Sequence, residues 1–233
     1  MPVLEVNGLK KVYTTRFGGN KVEALKNVTF SAEKGEYIAV MGESGSGKTT
    51  LLNILAALTK PTGGSVILDG SDLSKIKESR MAEFRRDNLG FVFQDFNLLD
   101  TFSVKDNILL PLVLTGMKYG DMTGRLESIA EKLGITSLLE KYPYELSGGQ
   151  KQRTAAARAI ITNPKMLLAD EPTGALDYKT SKDILKLISD VNKKFGNTVV
   201  MVTHNDAIKN MADRVIKLRD GMIRKNYLNE NKI

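Results

Sequence analysis

The sequence of 233 residues predicts one α/β domain in which helices flank a parallel β-sheet. An apolar segment at 37–41 leads directly into a glycine-rich loop and then into a helical segment. From residue 155 onward, apolar segments alternate with helical ones, which is the order of a parallel sheet. A chain of this length can bury the core of one such domain and is too short for two.

Each element has its own signal. Segments rich in β-forming residues at 4–12, 24–32 and 37–41 predict strands, separated by charged or glycine-containing turns. Residues 50–58 predict a helix, because a proline and two glycines follow it at 61, 63 and 64. Residues 102–142 have a mainly helical pattern and predict an inserted helical subdomain. Further strands are predicted at 166–169, 198–203 and 215–219.

The composition limits the chemistry. There is no cysteine, which excludes disulfides, zinc–thiolate sites, iron–sulfur clusters and a cysteine nucleophile. His204 is the single histidine, so catalysis must rely on lysines, carboxylates, hydroxyls and backbone amides. The net charge of +7 is dispersed along the chain, which indicates a solvated surface. No secretory signal or membrane-spanning run is evident, so a cytoplasmic chain is expected.

A phosphate-binding loop is predicted directly after the third strand. Residues 42–49 match the pattern G-x-x-x-x-G-K-[ST], whose backbone amides and following helix favour phosphate. Lys48 would reach the outer phosphates, and the Thr49 hydroxyl is a ligand type suited to Mg²⁺. An ordinary glycine-rich turn is the alternative, but the strand before the loop and the helix after it favour phosphate. The candidate residues are Gly42, Glu43, Ser44, Gly45, Ser46, Gly47, Lys48, Thr49 and Thr50.

Two acids end the predicted strand at 166–169. A buried strand with an acidic end would explain them, but ligands of α/β sheets bind at the carboxyl ends of strands. Asp170 would then hold Mg²⁺, and Glu171 would orient and deprotonate an attacking water.

A second glycine pair precedes a helix predicted at 151–161. Ser147 and Gln150 have the spacing of a capping box, which is the structural alternative. Gly148 and Gly149 between them leave bare amides at the positive end of the helix, which suits another phosphate contact.

In this order, the motifs resemble those of an ATP-binding cassette (ABC) subunit of a transporter. After the phosphate loop come Gln94, then Leu146-Ser147-Gly148-Gly149-Gln150, Asp170-Glu171-Pro172, Ala175-Leu176-Asp177 and Thr203-His204. The resemblance implies a P-loop nucleotide-binding domain with an antiparallel β subdomain and an inserted helical subdomain. It also implies a head-to-tail dimer in which residues 147–150 of one copy cover the γ-phosphate held by the other.

The resemblance also implies a division of the chain and further roles. Residues 1–94 and 155–233 would form a RecA-like core with the N-terminal β subdomain, and about 95–154 the helical subdomain. Tyr13 would stack on adenine, Gln94 would touch Mg²⁺ and link to the membrane partner, and Asp177 would signal between sites. His204 would contact the γ-phosphate and hold Glu171 and water in register. A surface tyrosine, a polar loop residue, a plain turn and a structural histidine are the respective alternatives.

The local sequences at 95–101, 108–112 and 169–177 resemble those of the bacterial branch of the family that confers resistance to antimicrobial peptides such as bacitracin and lantibiotics. That branch works with a large permease and often a sensor kinase, at the cytoplasmic face of the membrane; close cousins release lipoproteins or export macrolides. Three positions depart from the commoner pattern of the family: Gly174 and Tyr178, which flank the Asp177 loop, and Asn205, which follows His204 where Asp is frequent. These departures concern fine tuning and leave the expected chemistry unchanged.

Three other classes of protein do not fit this sequence, because each requires a feature that the sequence does not match. A nucleic-acid-associated cassette ATPase would insert a long coiled coil before Leu146, which follows Lys48 by only 98 positions. A ribosome-bound cassette protein would carry two cassettes. A non-hydrolysing module would lack Glu171 or His204. The sequence therefore predicts an ATPase that uses ATP and Mg²⁺, pairs with itself and a permease, and needs no nucleic acid.

Overall fold

A computed structural model describes residues 1–14, 21–93, 96–172, 178–206, 208 and 211–230, and the side chains of these except at 93 and 178–180. Its helices and strands are β1 (Leu4–Thr14), β2 (Lys21–Ala32), β3 (Tyr37–Met41), α1 (Lys48–Leu55), β4 (Gly63–Leu68), β5 (Ser71–Asp72), α2 (Glu78–Asn88), β6 (Leu89–Phe93), α3 (Val104–Val113), α4 (Tyr119–Leu133), α5 (Gly148–Ile160), β7 (Met166–Asp170), α6 (Tyr178–Phe195), β8 (Thr198–Thr203), β9 (Arg214–Arg219) and β10 (Met222–Leu228). Short 3₁₀ turns lie at Leu73–Lys75, Thr136–Leu138 and Pro143–Glu145.

The larger sheet has six strands in the order β10-β9-β3-β8-β7-β6. All neighbours from β9 to β6 are parallel, and β10 pairs with β9 as an antiparallel edge. Every residue of β3 and β8 is buried, as expected for strands covered on both faces. The parallel sheet predicted from the sequence is therefore present, and it sets the order of the strand ends that form the site.

The smaller sheet is antiparallel, with the order β2-β1-β4-β5. Two apolar cores result, one on each face of the larger sheet. Tyr37, Ala39 and Met41 face α3–α6, whereas Ile38 and Val40 face α1 and the antiparallel sheet. The alternation along β3 therefore ties both layers to the strand that leads into the phosphate loop.

Several boundaries differ from the sequence prediction. The helix expected at 50–58 begins at Lys48 and ends at Leu55, because Ala57 adopts a left-handed backbone with φ 53°. The glycines at 63 and 64, interpreted as helix stops, begin β4 instead. Strands β4, β5, β6 and β10 and helix α2 were not predicted.

Residues 102–142 are mainly helical, as expected, and contain α3, α4 and the 3₁₀ turn at Thr136–Leu138. Helix α3 begins with a capping box in which Ser103 and Asp106 bind each other's backbone amide. Pro111 lies inside α3. Among the described residues, no helix combines the length and apolar character needed to cross a membrane.

Candidate nucleotide site

The phosphate loop lies between β3 and α1 and packs tightly against its neighbours. Gly47 adopts a left-handed backbone with φ 102°, and a Cβ there would lie 2.5 Å from the carbonyl oxygen of Ala24 in β2. A Cβ at Gly42 would collide with the carbonyl oxygen of Leu218 in β9. Packing therefore requires glycine at both positions, and at Gly47 the loop conformation requires it as well.

Lys48 is folded back over this loop. Its side chain is only 6% exposed, and its Nζ donates hydrogen bonds to the carbonyl oxygens of Gly42 (2.9 Å) and Glu43 (3.0 Å). The same Nζ lies 3.7 Å from Oε1 of Glu171. Since an ammonium group has three donors, one remains for a phosphate oxygen. The loop and Glu171 thus hold a buried cation next to the candidate phosphate site.

A cleft of about 890 Å³ opens in front of the loop, and Lys48, Glu171 and His204 line it together with Val22 and Gly221. Glu43, Ser44, Gly45 and Thr49 are exposed there and Thr50 is half-buried, whereas Ser46 is buried. A cleft of this size can take a nucleotide. The structure thus brings seven of the nine residues predicted from the loop motif, all except Gly42 and Ser46, to one concave surface.

The ends of β7 and β8 bring two predicted residues into contact. Asp170 of β7 pairs with Val202 of β8, and the Glu171 amide continues the ladder by donating to the Val202 carbonyl at 2.9 Å. His204 follows the end of β8, and its Nδ1 lies 2.8 Å from Oε2 of Glu171. His204 and Glu171 therefore lie in contact at the ends of neighbouring strands.

Glu171 has a left-handed backbone with φ 39°, which is unusual for a residue with a side chain. The contact with His204 defines the proton arrangement, because an ionised carboxylate can only accept a hydrogen bond. When Glu171 is ionised, Nδ1 of His204 therefore carries the hydrogen, and Nε2 of the neutral ring is left as an acceptor. The histidine is 67% exposed and Glu171 is 31% exposed, so both can reach a ligand in the cleft.

Burial raises the pKa of Asp170, and the nearby charge of Glu171 raises that pKa further, while Lys48 lowers it. A cation at this strand end would relieve both unfavourable effects. Thr49 and Asp170 offer a hydroxyl and a carboxylate oxygen, and Mg²⁺ is commonly held by one or two such ligands plus substrate phosphates. The donor set therefore fits Mg²⁺.

The segment at 147–150 begins α5. Ser147 and Gln150 form a capping box: the Ser147 amide donates to Oε1 of Gln150 at 2.9 Å, and the Gln150 amide donates to the Ser147 hydroxyl at 3.4 Å. A Cβ at Gly148 or Gly149 would meet no atom within 4 Å among the described residues. The capping alternative is thus correct as geometry, and the glycines keep the helix end open to a ligand. None of the four lines the described cleft at the phosphate loop.

The other predicted residues fall at the edge of the site or outside the described residues. Tyr13 lies near the end of β1, is 42% exposed, and has Nζ of Lys11 at 5.0 Å from its ring centroid. It pairs with Val22, which lines the cleft. Gln94 and Asp177 lie outside the residues that the structure describes. Sequence reasoning missed Gly221, although the dipeptide Asp-Gly at 220–221 is a turn signal.

This fold and cleft define a P-loop nucleoside-triphosphatase domain. The family described as "ABC transporter" matches residues 25–174, and the chain belongs to that family. It is an ATP-binding, ATP-hydrolysing cassette subunit, as its sequence predicted.

Known proteins are similar over nearly the whole chain. A bacitracin export ATP-binding protein, BceA, of Halalkalibacterium halodurans is 47% identical, covering 96% of this chain and 87% of that protein. The macrolide export ATP-binding/permease protein MacB of Rhodopirellula baltica is 42% identical over 95% of this chain but only 32% of that protein. A dimeric ATP-binding cassette, MJ0796, in a post-hydrolysis state bound to ADP and Pi has a TM-score of 0.82 and 36% identity, covering 97% of this chain and 99% of that one.

Proposed function

We propose that the chain is the ATPase subunit of a transporter that protects bacteria against antimicrobial peptides of the bacitracin type. The similarity to the bacitracin export protein supports this proposal, since the two chains match over most of both lengths. Macrolide-type efflux or lipoprotein release is the second candidate, and the 42% identity to a macrolide exporter favours it. This chain matches only 32% of the length of that exporter, so the first candidate is the better supported.

One observation carries the catalytic proposal: Glu171 lies between Lys48 at 3.7 Å and His204 at 2.8 Å. Glu171 accepts a proton from the attacking water, and His204 holds the carboxylate that does so. Lys48 and the loop amides stabilise the charge on the phosphoryl oxygens. The water oxygen attacks the γ-phosphorus in line with the ADP oxygen, whose bond to that phosphorus breaks. The proton of the water passes to the Glu171 carboxylate.

The remaining site roles are part of the same proposal. Thr49 and Asp170, with Gln94, hold Mg²⁺, which when bound neutralises phosphate charge. Tyr13 stacks on adenine through the ring face opposite Lys11. The loop from Gly42 to Thr50 binds the phosphates. Asp177 acts in communication between two sites, as the family resemblance implies.

A second copy of the chain completes the nucleotide site. Ser147, Gly148, Gly149 and Gln150 of one copy contact the γ-phosphate held by the loop of the other. The open start of α5 and its separation from the cleft at the phosphate loop support this arrangement. So does the dimeric state of the similar cassette MJ0796.

Introducing a large cation at Ser147 tests the facing-sites proposal. Ser147→Arg should abolish most ATP turnover, because the arginine fills the open helix end, while ATP affinity of the single chain stays unchanged. Ser128→Arg, on the exposed face of α4, is the matched control and should behave as wild type. Turnover and light scattering with ATP measure the effect. Wild-type turnover of Ser147→Arg would contradict the proposal.

The partners and location follow from the transporter proposal. A transmembrane permease holds the dimer at the cytoplasmic face of the membrane, and a sensor histidine kinase works through that permease. Residues 1–94 and 155–233 form the catalytic core with its β subdomain, and about 95–154 form the helical subdomain that carries the Ser147 motif. Closure and reopening of the dimer drive the permease.

A resistance assay distinguishes the two candidate substrates. The chain should raise the bacitracin concentration that a sensitive host tolerates by roughly tenfold when it is expressed with the permease encoded beside it. The Glu171→Gln variant, matched for expression, should remove that gain because transport needs hydrolysis. Erythromycin tolerance should not change. A gain for erythromycin without a gain for bacitracin would replace the first candidate by the second.

A further inference from the structure

We infer that the Asp220–Gly221 turn between β9 and β10 is a positioning element for ATP, acting through the phosphate loop. The Gly221 amide donates a hydrogen bond to the carbonyl oxygen of Ser46 at 3.1 Å. The Gly221 carbonyl accepts one from the amide of Lys26, in β2, at 2.9 Å. A single residue thus joins the phosphate loop to the antiparallel sheet.

Packing makes this link rigid. Gly221 has a left-handed backbone with φ 74°, and a Cβ there would lie 2.7 Å from the carbonyl oxygen of Ala24. A Cβ at Gly47, in the phosphate loop, would lie 2.5 Å from that same oxygen. The Ala24 carbonyl is therefore held between the turn and the loop, and neither glycine can gain a side chain unless β2 or the loop moves.

The loop is also supported from the side of β9. The Leu218 carbonyl, just before the turn, occupies the space that a side chain at Gly42 would need. Ser46 is 4% exposed, and its hydroxyl has no hydrogen-bond partner among the described residues, so Ser46 is held through its backbone: its carbonyl accepts from Gly221, and its amide donates to the Glu43 carbonyl at 3.2 Å. The turn and β9 thus form a back wall that sets where the loop amides point.

The same link sets the spacing between two parts of the nucleotide site. Val22 of β2 pairs with Tyr13, the residue proposed to stack on adenine, and β2 is bonded to Gly221 through Lys26. The phosphate loop is bonded to Gly221 through Ser46. Gly221 therefore positions the adenine and phosphate contacts relative to each other. This inference rests on the proposed nucleotide roles of Tyr13 and the loop.

Asp220 contributes little to this link. It pairs with Arg219 and Arg224 at 3.7 Å each, and all three side chains are at least half exposed. Ion pairs on such an exposed surface stabilise little. The positioning depends on the Gly221 backbone rather than on charge.

The chain provides a matched pair of variants for the test. Asp69–Gly70, between β4 and β5, repeats the same dipeptide with the same left-handed backbone, φ 48° and 78°, as Asp220–Gly221 with 52° and 74°. A Cβ at Gly70 would meet no described atom within 4 Å. Gly70→Ala and Gly221→Ala therefore impose the same backbone strain, but only Gly221→Ala disturbs the phosphate loop.

Gly221→Ala should raise the dissociation constant for ATP by about tenfold and leave the turnover rate at saturating ATP within about threefold of wild type. Gly70→Ala should lower the thermal unfolding midpoint and leave ATP affinity unchanged. Equal ATP affinities of the two variants would overturn the inference. A merely structural role of Gly221 would lower the unfolding midpoint of both without this split between affinity and turnover.

If Gly221→Ala does not fold, the wild-type chain still provides the test. Hydrogen exchange of the Gly221 amide should slow on adding ATP, because a bound nucleotide holds the loop that accepts its hydrogen bond. The Gly70 amide is the internal control and should not change. Unchanged exchange at Gly221 would overturn the inference.

The variants also separate failure of this inference from failure of the proposed phosphate site. Loss of ATP affinity in Lys48→Ala with normal ATP affinity in Gly221→Ala would refute this inference alone, whereas normal ATP affinity in Lys48→Ala would refute the proposed phosphate site.

Discussion

Replacing Glu171 by glutamine is expected to slow ATP turnover by about 100-fold or more, which is the usual contribution of a general base. Glutamine has nearly the same shape and keeps an oxygen that can accept the hydrogen bond from Nδ1 of His204. The variant should therefore lose the proton acceptor without losing the local structure. ATP affinity should be unchanged, and the closed dimer should persist because its nucleotide is not cleaved.

Phosphate release measures the first effect, and ATP binding with light scattering measures the others. Glu140→Gln is a suitable control, since Glu140 is 84% exposed and pairs only loosely with Lys105 at 3.9 Å. This control should retain wild-type turnover. Near-normal turnover of Glu171→Gln would show that another group receives the proton.

Replacing Lys48 by alanine is expected to weaken ATP binding by about 10- to 100-fold, the equivalent of one hydrogen bond to a charged group. The ammonium group is already held by two loop carbonyls, so its position costs no further ordering when a phosphate binds. Its loss also leaves the negative charge of Glu171 without a neighbouring cation, and that negative charge repels a polyphosphate. Both effects act in the same direction.

Isothermal titration with MgATP measures the Lys48 effect. Lys60→Ala is the matched control, because Lys60 is 64% exposed and pairs with Glu78 on the surface. Its ATP affinity should equal that of wild type, since exposed pairs contribute little and lie away from the cleft. An unchanged affinity of Lys48→Ala would contradict the phosphate role of this residue.

The sequence predicts the site better than it predicts the smaller sheet. The strand before the phosphate loop and the strand pair ending at Glu171 and His204 are apolar runs of the length that parallel strands require. Polar residues at the ends of such strands meet at one edge of the sheet. Local patterns and one topological rule were therefore sufficient to predict where the central residues lie, whereas the role expected of His204 came from the family resemblance.

The elements missed have weak local signals. Helix α2 buries only Met81 among the residues that its burial pattern describes, so it has no apolar face that a periodic pattern could reveal. Strand β10 is an edge strand whose residues from 224 to 228 are all exposed, so no alternation of buried and exposed residues marks it. The glycine at 64 can lie in β4 because its bare Cα allows close approach of the Gly8 carbonyl of β1, and such a contact between distant residues cannot be predicted from the local sequence.

The backbone conformation of Glu171 and its contact distance to His204 could not be predicted from the sequence either. Its left-handed backbone and the 2.8 Å contact with His204 depend on how β7 and β8 end together, which no single motif encodes. The turn at Gly221 was missed for the same reason, since its partners Ser46 and Lys26 lie on two other elements.

The claim that Glu171 and His204 act as one unit is tested most directly by the rate of γ-phosphate cleavage in a single turnover of prebound MgATP. The rate would be compared in wild type, Glu171→Gln, His204→Ala and the double variant. If His204 acts by holding Glu171, the double variant should cleave ATP within about threefold of Glu171→Gln, because residues that work together are not additive. A double variant slowed by the product of the two single effects would contradict the account.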